Sequence, residues 1–317
     1  MRNNRVLKSM KHNREQFIVY IVLLVSVIAA QIISPGYLSI THVAGILRLA
    51  SFLGIAAIGQ QLAILTGGID LSVGYLVTFA NVIGAQMMMS QNANILKALF
   101  IVTAFGALIG IINATGIRLL KMQPFIITLG TGMIVKGIYY LYTNGAPKGN
   151  AAPLLTEICG KRMFGIVSGV VILWAVLAAI VIVVLKYTTL GRKLYAVGAN
   201  EKGARFAGIH TGKIIYAVYI ISAICSVWAG FLLVGYTKTS FLNVGDDYSM
   251  NAVASVVLGG TAITGGKGGY VGTIAGAVFM IVLEDILSML GYPTAIKGIV
   301  RGAAIIVLVI LYSKKSE

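Results

Sequence analysis

Two glycine-rich segments hold the residues whose types and spacing could do chemistry. In GGTAITGGKGGYVG, residues 259–272, a lysine stands among glycines, which is the composition of a phosphate-binding loop. Such a loop needs the spacing G-x-x-x-x-G-K-[ST], but Thr261 occupies the first of these positions and Gly268 the last. The spacing therefore predicts no ATP site in this chain, and Gly265 and Gly266 are interpreted as a break between two helices.

The other segment, LTGGIDLSVG at residues 65–74, places one carboxylate in almost continuously hydrophobic surroundings. Gly67 and Gly68 allow a non-helical turn, and Asp70 and Ser72 supply oxygens that can cap the start of the next helix. Because an isolated carboxylate in lipid is costly, Asp70 needs compensating hydrogen bonds. Two interpretations stay open: a buried helix cap, or a polar group that lines a translocation path or braces a moving helix break.

Histidine and cysteine show no pattern of a metal or catalytic site. The three histidines are scattered and the two cysteines lie far apart in the sequence: His12, His42, His210, Cys159 and Cys225. Neither CxxC nor HExxH spacing occurs. We therefore expect a chain that binds no metal or cofactor, has no disulfide framework and catalyses no reaction.

Further polar residues interrupt the apolar segments. Glu284 and Asp285 could pair with Lys297 or Arg301 across a short turn, or they could contact a transported substrate directly. Asn113 is a further candidate to line a pore or to lie as a polar group within the membrane. The roles of these residues depend on the secondary-structure elements that position them.

Composition places those elements in a membrane. Hydrophobic residues make up 58% of the 317 residues and charged residues only 11%, whereas a soluble domain carries about a quarter charged residues. The 38 glycines suit close packing between membrane helices. The net charge of +16 indicates an anionic lipid surface as the neighbour, and nucleic acid is not expected as a partner.

Ten apolar segments are candidates to cross the bilayer. A helix needs about 20 apolar residues to cross about 30 Å of hydrocarbon. The candidates are residues 17–33, 44–65, 73–90, 95–116, 124–142, 166–186, 214–236, 250–263, 270–290 and 295–312. Glycine-rich breaks blur the ends of the second, third and eighth. The sequence thus predicts an all-α integral membrane protein with about ten transmembrane helices.

Positive charge sets the predicted orientation, because Lys-rich and Arg-rich segments stay cytoplasmic. The chain is basic at both ends and in the loop 187–213. We therefore expect a basic cytoplasmic head (1–16), a single transmembrane domain (17–312) and a cytoplasmic tail (313–317). The longest loop on the opposite face holds Cys159, which we expect to react with reagents added outside.

The cytoplasmic loop 187–213 contains a predicted short amphipathic helix. Asn200 caps it, Glu201 stands in its first turn and Gly208 ends it. Such a helix could lie on the bilayer or dock a soluble partner, and its shortness and flanking glycines favour docking. The candidate docking residues are Gly191, Arg192, Gly198, Asn200, Glu201, Ala204, Arg205 and Gly208.

Several motifs, separated along the chain, resemble those of a known protein family. They are LTGGIDLSVG, MQPFIITLG (122–130), TNGAPKGN (143–150), GRKLYAVGANEKGARFAGI (191–209) and VVLGGTAITGGKGG (256–269). In this order they resemble the permease subunit of ribose-type bacterial ABC sugar importers, over most of the chain. The resemblance implies a subunit of the bacterial inner membrane that translocates a small polar solute, such as ribose or a related monosaccharide.

The resemblance also implies partners. These are a second permease subunit, identical or different, two cytoplasmic ATPase subunits that bind ATP and Mg, and an extracytoplasmic solute-binding protein. The segment 191–209 would be the region that meets the ATPase. A nucleoside, a polyol or a signalling sugar stays open as cargo. An ion-coupled secondary transporter is the alternative from another class, because Glu284 and Asp285 could serve as its paired acids.

The sequence departs from the family pattern in the segments that would face the pore. Where the family commonly has Gly-Tyr-Glu-Leu-Asp, this chain has Ser249 at the Glu position and Asn251 at the Asp position. Where relatives carry an Asn-rich stretch, this chain has Glu284 and Asp285. Ala114 replaces a glycine after Asn113. The departures bear on the identity of the substrate and on contact with the binding protein, and leave the class of protein unchanged.

Overall fold

The computed structural model describes residues 14–163 and 167–313. The predicted basic head (1–16) therefore falls almost wholly outside the described residues. The same holds for Ile166, at which the sixth span is predicted to begin, and for the predicted tail apart from Ser313.

The described residues form helices joined by short connections, which confirms the all-α prediction. The first helices are α1 (Arg14–Ile33), α2 (Ile40–Leu65), α3 (Val73–Met88), α4 (Ile95–Arg118), α5 (Pro124–Thr143), α6 (Pro153–Gly160) and α7 (Gly169–Tyr187). The remaining ones are α8 (Thr189–Ala199), α9 (Glu201–Phe206), α10 (Thr211–Thr237), α11 (Tyr248–Leu258), α12 (Tyr270–Met289) and α13 (Thr294–Ser313). Two antiparallel strands of two residues each, β1 (Arg162–Met163) and β2 (Val167–Ser168), form a small hairpin before α7.

Six of these helices are long and apolar enough to cross a membrane: α2, α4, α5, α7, α10 and α12. Three apolar helices are shorter, namely α1, α3 and α11. The short helices α3 and α11 each adjoin a glycine-rich break. The predicted eighth span, 250–263, accordingly ends at Leu258, where the break begins.

Helices α2 and α10 form the centre of the molecule. About 70% of the apolar window of each is buried, 67% and 72%, against 28% for α4, α5 and α7. Glycines bring the central helices together: a Cβ on Gly59 of α2 would lie 2.4 Å from Ser222 Cα of α10, and one on Gly110 of α4 would lie 2.6 Å from Ile220 Cα. The peripheral helices are left to face lipid or another subunit.

The longest predicted outer loop is a folded structure that contains α6 and the hairpin. Cys159 of α6 is fully buried, and a Cβ on Gly235 of α10 would lie 2.8 Å from its Sγ atom. The prediction that Cys159 is accessible to reagents is therefore wrong. An apolar stripe along α6, with Leu155 and Cys159 four residues apart, turns that face of the loop toward α10.

Candidate functional site

Asp70 is buried in the break between α2 and α3 and accepts three hydrogen bonds. Its Oδ1 atom accepts from the backbone N–H of Ser72 (2.9 Å) and from the Ser72 hydroxyl. Its Oδ2 atom accepts from the hydroxyl of Ser222 on α10 (2.7 Å). Three donors replace the water that a carboxylate loses on burial, so Asp70 ties the break to the central helix.

Polar contacts continue from Ser72 to two peripheral helices. The Ser72 Oγ atom accepts from Asn113 Nδ2 of α4 (3.2 Å), and Asn113 Oδ1 accepts from the Thr131 hydroxyl of α5 (2.6 Å). Asn113 is fully buried, and both ends of its amide are hydrogen-bonded within the protein. We call this set the Asp70 network: Asp70, Ser72, Asn113, Thr131 and Ser222.

Asp70 does not act as the cap of α3 that the sequence suggested. The capping position before Val73 belongs to Ser72, whose side chain makes no capping bond, and Asp70 bonds the backbone of Ser72 itself, outside the helix. The first turn of α3 is satisfied from elsewhere, since Gly74 N donates to Ser249 Oγ of α11 (2.8 Å). The geometry favours the other interpretation, in which Asp70 braces the helix break.

The two glycine-rich breaks meet each other. Gly266 N donates to the carbonyl oxygen of Leu65 at the end of α2 (2.9 Å). A Cβ on Gly265 would lie 2.8 Å from Gly67 N. Gly67, Gly265 and Gly266 all have positive φ, from +74° to +85°, a conformation that residues with side chains rarely adopt. Glycine is therefore needed here both for the turns and for the close approach.

Helix α8, in the loop 187–213, packs against the place where the two breaks meet. A Cβ on Gly198 would lie 1.9 Å from Leu65 O and 2.6 Å from Gly266 N, so backbone meets backbone without a side chain between. The Tyr195 hydroxyl donates to Gly268 O (2.8 Å), and burial raises the pKa of Tyr195, which keeps this donor protonated. We call this contact the glycine junction: Leu65, Gly67, Gly198, Gly265 and Gly266.

Helix α8 was missed by the sequence analysis, which predicted only a helix in the middle of the loop. The signal was present in the spacing of Leu190, Leu194 and Val197, which is the spacing of one helix face. Thr188 caps the helix by accepting from Gly191 N (3.3 Å). Gly191 lies close against the end of α7, where a Cβ would be 2.3 Å from Leu185 O.

The predicted amphipathic helix is present as α9. Asn200 caps it by accepting from Gly203 N (2.9 Å), and Gly208 ends it at a φ of +78°. Its buried anchor is Ala204, and Arg192 and Arg205 are exposed. These observations confirm the predicted start and end of the helix.

The charges of α9 are engaged within the chain. Glu201 accepts from Arg205 on the next turn (3.2 Å) and from the Thr211 hydroxyl (3.0 Å), and it lies 3.8 Å from an amino group of Arg118 on α4. Among the large apolar residues of the described chain, Phe206 has the highest exposure, at 93%. An apolar side chain so exposed on a basic loop is a candidate contact for another protein. The sequence analysis passed over Phe206 because α9 is too short to show an apolar stripe.

Glu284 and Asp285 turn to different partners. Glu284 Oε1 accepts from Arg301 of α13 (2.7 Å) and from Asn251 of α11 (2.9 Å). Asp285 lies 2.8 Å from a ring nitrogen of His42 on α2. The suggested pairing of these acids with Lys297 or Arg301 is thus right for Glu284 and Arg301. His42 was not considered as a partner.

Two cavities flank the start of α11. One, of about 260 Å³, is lined by Leu71, Gly74, Tyr75, Leu129, Lys136, Gly245, Asp246, Ser249 and Met250. The other, of about 300 Å³, includes Asp247, Tyr248, Asn251, Glu284, Asp285 and Ser288 in its lining. The neighbouring residues Asp246 and Asp247 thus line separate cavities. Among the described residues, no group of three His, Cys, Asp or Glu side chains could hold a metal ion.

The structure therefore brings together residues that the sequence analysis treated as separate motifs. The two breaks and the loop 187–213 share the glycine junction, at Gly67, Gly198, Gly265 and Gly266. Gly68 lies beside them, where a Cβ would be 2.2 Å from the Tyr219 hydroxyl. Helix α8 is thus in direct backbone contact with both breaks.

Comparison with known proteins agrees with this organisation. A family model described as branched-chain amino acid transport system / permease component matches residues 42–309. The ribose import permease protein RbsC of Escherichia coli (strain K12) is 34% identical, over 93% of this chain and 92% of its own. RbsC of Bacillus subtilis (strain 168) is 33% identical, over 94% and 92%. The galactose/methyl galactoside import permease protein MglC of Escherichia coli (strain K12) is 32% identical, over 94% of both chains. No solved structure matches the chain at a significant level.

Proposed function

Because the chain belongs to the family of branched-chain amino acid transport system permease components, we propose that it is the membrane-spanning subunit of an ATP-driven monosaccharide importer. The observation that carries the proposal is the match to ribose and galactose import permeases along nearly the whole length of both chains. The family description names amino acids, but these relatives import sugars. A ribose-type sugar is therefore the cargo we propose.

The protein is a multi-pass protein of the bacterial inner membrane. We propose ten spans with both termini in the cytoplasm. The six long apolar helices and the three shorter ones, together with α13, add up to the ten segments expected from the sequence. The basic residues of the cytoplasmic loop support this orientation.

We propose that transport is powered by partner subunits. Two cytoplasmic ATPases would bind ATP and Mg, and this chain would bind neither. An extracytoplasmic binding protein would deliver the sugar, and a second permease subunit, most simply an identical one, would complete the pore. The exposed α9 helix, with Phe206 outermost, supports a docking role for the cytoplasmic loop.

The glycine junction supports a specific mechanism for this loop. Helices α8 and α9 are consecutive, and α8 touches both breaks through Gly198. Movement of a docked ATPase would shift α9 and α8 together, and the junction would pass the shift to the breaks that begin α3 and α12. The Asp70 network would hold the first break to the central helix α10 during that movement.

The secondary-transporter alternative loses its main support. It required Glu284 and Asp285 to act as a pair of acids, but Glu284 is bonded to Arg301 and Asp285 to His42. The two hypotheses differ in their energy source. Uptake of labelled D-ribose and D-galactose should stop when the partner ATPase is deleted and should persist when an ionophore collapses the proton gradient. Uptake that stops only with the ionophore would reject the proposal.

A further inference from the structure

We propose that the cavity between α11 and α12 is the place where this chain contacts its cargo, and that Asn251 and Glu284 recognise the hydroxyl groups of a neutral sugar. We call it the cargo cavity; its lining also includes apolar residues, two of them on α2, and the full set is Leu49, Leu53, Val244, Asp247, Tyr248, Asn251, Ile281, Glu284, Asp285 and Ser288. This inference rests on the proposed function and adds the site and the chemical class of the ligand.

The first support is an amide that is only half satisfied. Asn251 is 5% exposed and lines the cavity, and its Nδ2 atom donates to Glu284 Oε1 (2.9 Å). Within residues 14–163 and 167–313, its Oδ1 atom has no hydrogen-bond partner. A buried acceptor without a partner is costly, so a site that keeps one is suited to a ligand that brings a donor.

The second support is the balance of donors and acceptors. The guanidinium of Arg301 is already bonded to Asp247 and to Glu284 Oε1, so its positive charge is offset on both sides. Among the polar lining residues, Asp247, Asn251 and Glu284 carry oxygens that accept hydrogen bonds, and Leu49, Leu53, Val244 and Ile281 add an apolar part to the lining. Such a lining matches a ligand with many hydroxyl donors, and it repels a sugar phosphate or a sugar acid.

The third support is size and position. A volume of about 300 Å³ lies at the small end of the range for ligand sites, which suits a monosaccharide. Asn251 and Glu284 contact each other directly, so the two residues act on a ligand as one polar group of the cavity wall.

A thiol placed at the edge of the cavity provides a direct test. Ser288 lines the cavity and is exposed, whereas the native cysteines Cys159 and Cys225 are buried, so Ser288→Cys adds the most reactive thiol among the described residues. The assembled importer with this substitution is purified and alkylated in the presence of D-ribose, D-galactose, ribose 5-phosphate or Ca²⁺. We expect at least one neutral sugar to slow alkylation several-fold, and the phosphate ester and the cation to have no effect.

Two further substitutions assign the recognition to named groups. In the Ser288→Cys background, Asn251→Ala and Glu284→Gln should each raise the half-protecting sugar concentration about tenfold, which corresponds to about 1.4 kcal/mol. Glu157→Gln, which neutralises a carboxylate of α6 outside the cavity, is the matched control and should leave the half-protecting sugar concentration unchanged. Recovery of the assembled importer shows whether each variant folds.

The outcomes distinguish failure of the proposed cargo cavity from failure of the proposed function. If the importer takes up a neutral sugar but that sugar gives no protection, the cargo cavity is wrong and the proposed function stands. If no sugar is taken up under any condition, the proposed function fails. Protection by the phosphate ester or by Ca²⁺ in place of a neutral sugar overturns the proposed ligand class, and protection unaltered by both substitutions overturns the roles of Asn251 and Glu284.

Discussion

Replacement of Gly198 by alanine should uncouple ATP hydrolysis from transport. Gly198 is the residue through which helix α8 touches both glycine-rich breaks. The added methyl group would lie 1.9 Å from Leu65 O, whereas ordinary van der Waals contact begins at 3.4 Å. Because both sides of the contact are backbone, no side chain can rotate away, and α8 must move by about 1.5 Å.

The free-energy cost can be bounded from the same contacts. Overpacking of this kind costs about 1–3 kcal/mol. The methyl group would also lie 2.6 Å from Gly266 N, so the hydrogen bond from Gly266 N to Leu65 O is strained, at a cost of up to about 1.5 kcal/mol. Alanine returns about 1 kcal/mol through its higher helix propensity. The net cost of about 0–3.5 kcal/mol falls on the junction and not on the folding of the spans.

The assay is sugar uptake per ATP hydrolysed in membrane vesicles that contain the complete importer. For Gly198→Ala we expect near-normal recovery of the permease, continued hydrolysis and an uptake-to-hydrolysis ratio at least tenfold lower. Gly203→Ala in α9 is the matched control, because its methyl group would meet only the Asn200 side chain at 3.3 Å. A ratio unchanged by Gly198→Ala would refute the mechanism through the glycine junction.

Three further predictions follow from the contacts described. Asp70→Ala should reduce the abundance of the permease on immunoblots more than Asp70→Asn does, since Asn keeps one acceptor for Ser72 N. Equal and normal amounts of the two variants would show that the Asp70 network is dispensable. Arg205→Glu should lower the recovery of the ATPase in a pull-down several-fold. This variant is cleaner than Glu201→Lys, because Glu201 also accepts a hydrogen bond from Thr211. Full recovery of the ATPase with normal sugar uptake would favour an α9 helix that lies on lipid. Burial raises the pKa of Cys159 to about 12, so alkylation of this thiol at neutral pH should require unfolding. The stability of the folded protein should fall as pH rises from about 9 towards 12, because the unfolded state loses the thiol proton first. Rapid labelling of Cys159 in the folded protein would contradict this prediction.

Local features of the sequence predicted local features of the structure. The long apolar runs, the cap at Asn200 and the stop at Gly208 depend on residues near each other in the chain. The cap and the stop are found where the pattern places them, and the apolar runs form helices whose ends differ by a few residues, as at Leu258. Helix α8 could also have been found from its own spacing. It was missed because the basic, glycine-containing composition of the segment suggested a loop.

Contacts between distant segments were not available from the sequence. No pattern in residues 191–209 indicates that Gly198 contacts Leu65, which lies more than 130 positions earlier. A close backbone contact requires only a glycine in the sequence, and this chain has 38 glycines. The same holds for Asn251 and Glu284, whose pairing depends on how α11 packs against α12. The shared form TGG-x-x-x-x-VG of the two breaks is weak as evidence of a repeat, but the breaks do meet in space.

The charge of Asp70 is explained by what surrounds it. An asparagine at this position has a single acceptor oxygen and could not accept from Ser72 N, Ser72 Oγ and Ser222 Oγ together while leaving each donor satisfied. A carboxylate can, and hydrogen bonds to a charged group are worth about 1.5–3 kcal/mol each, compared with about 1 for neutral pairs. Besides its glycine turns and its contacts with Thr128 and Gly266, the break has a polar anchor that fixes its position against α10. Asp70 supplies that anchor without filling the space through which the breaks approach each other.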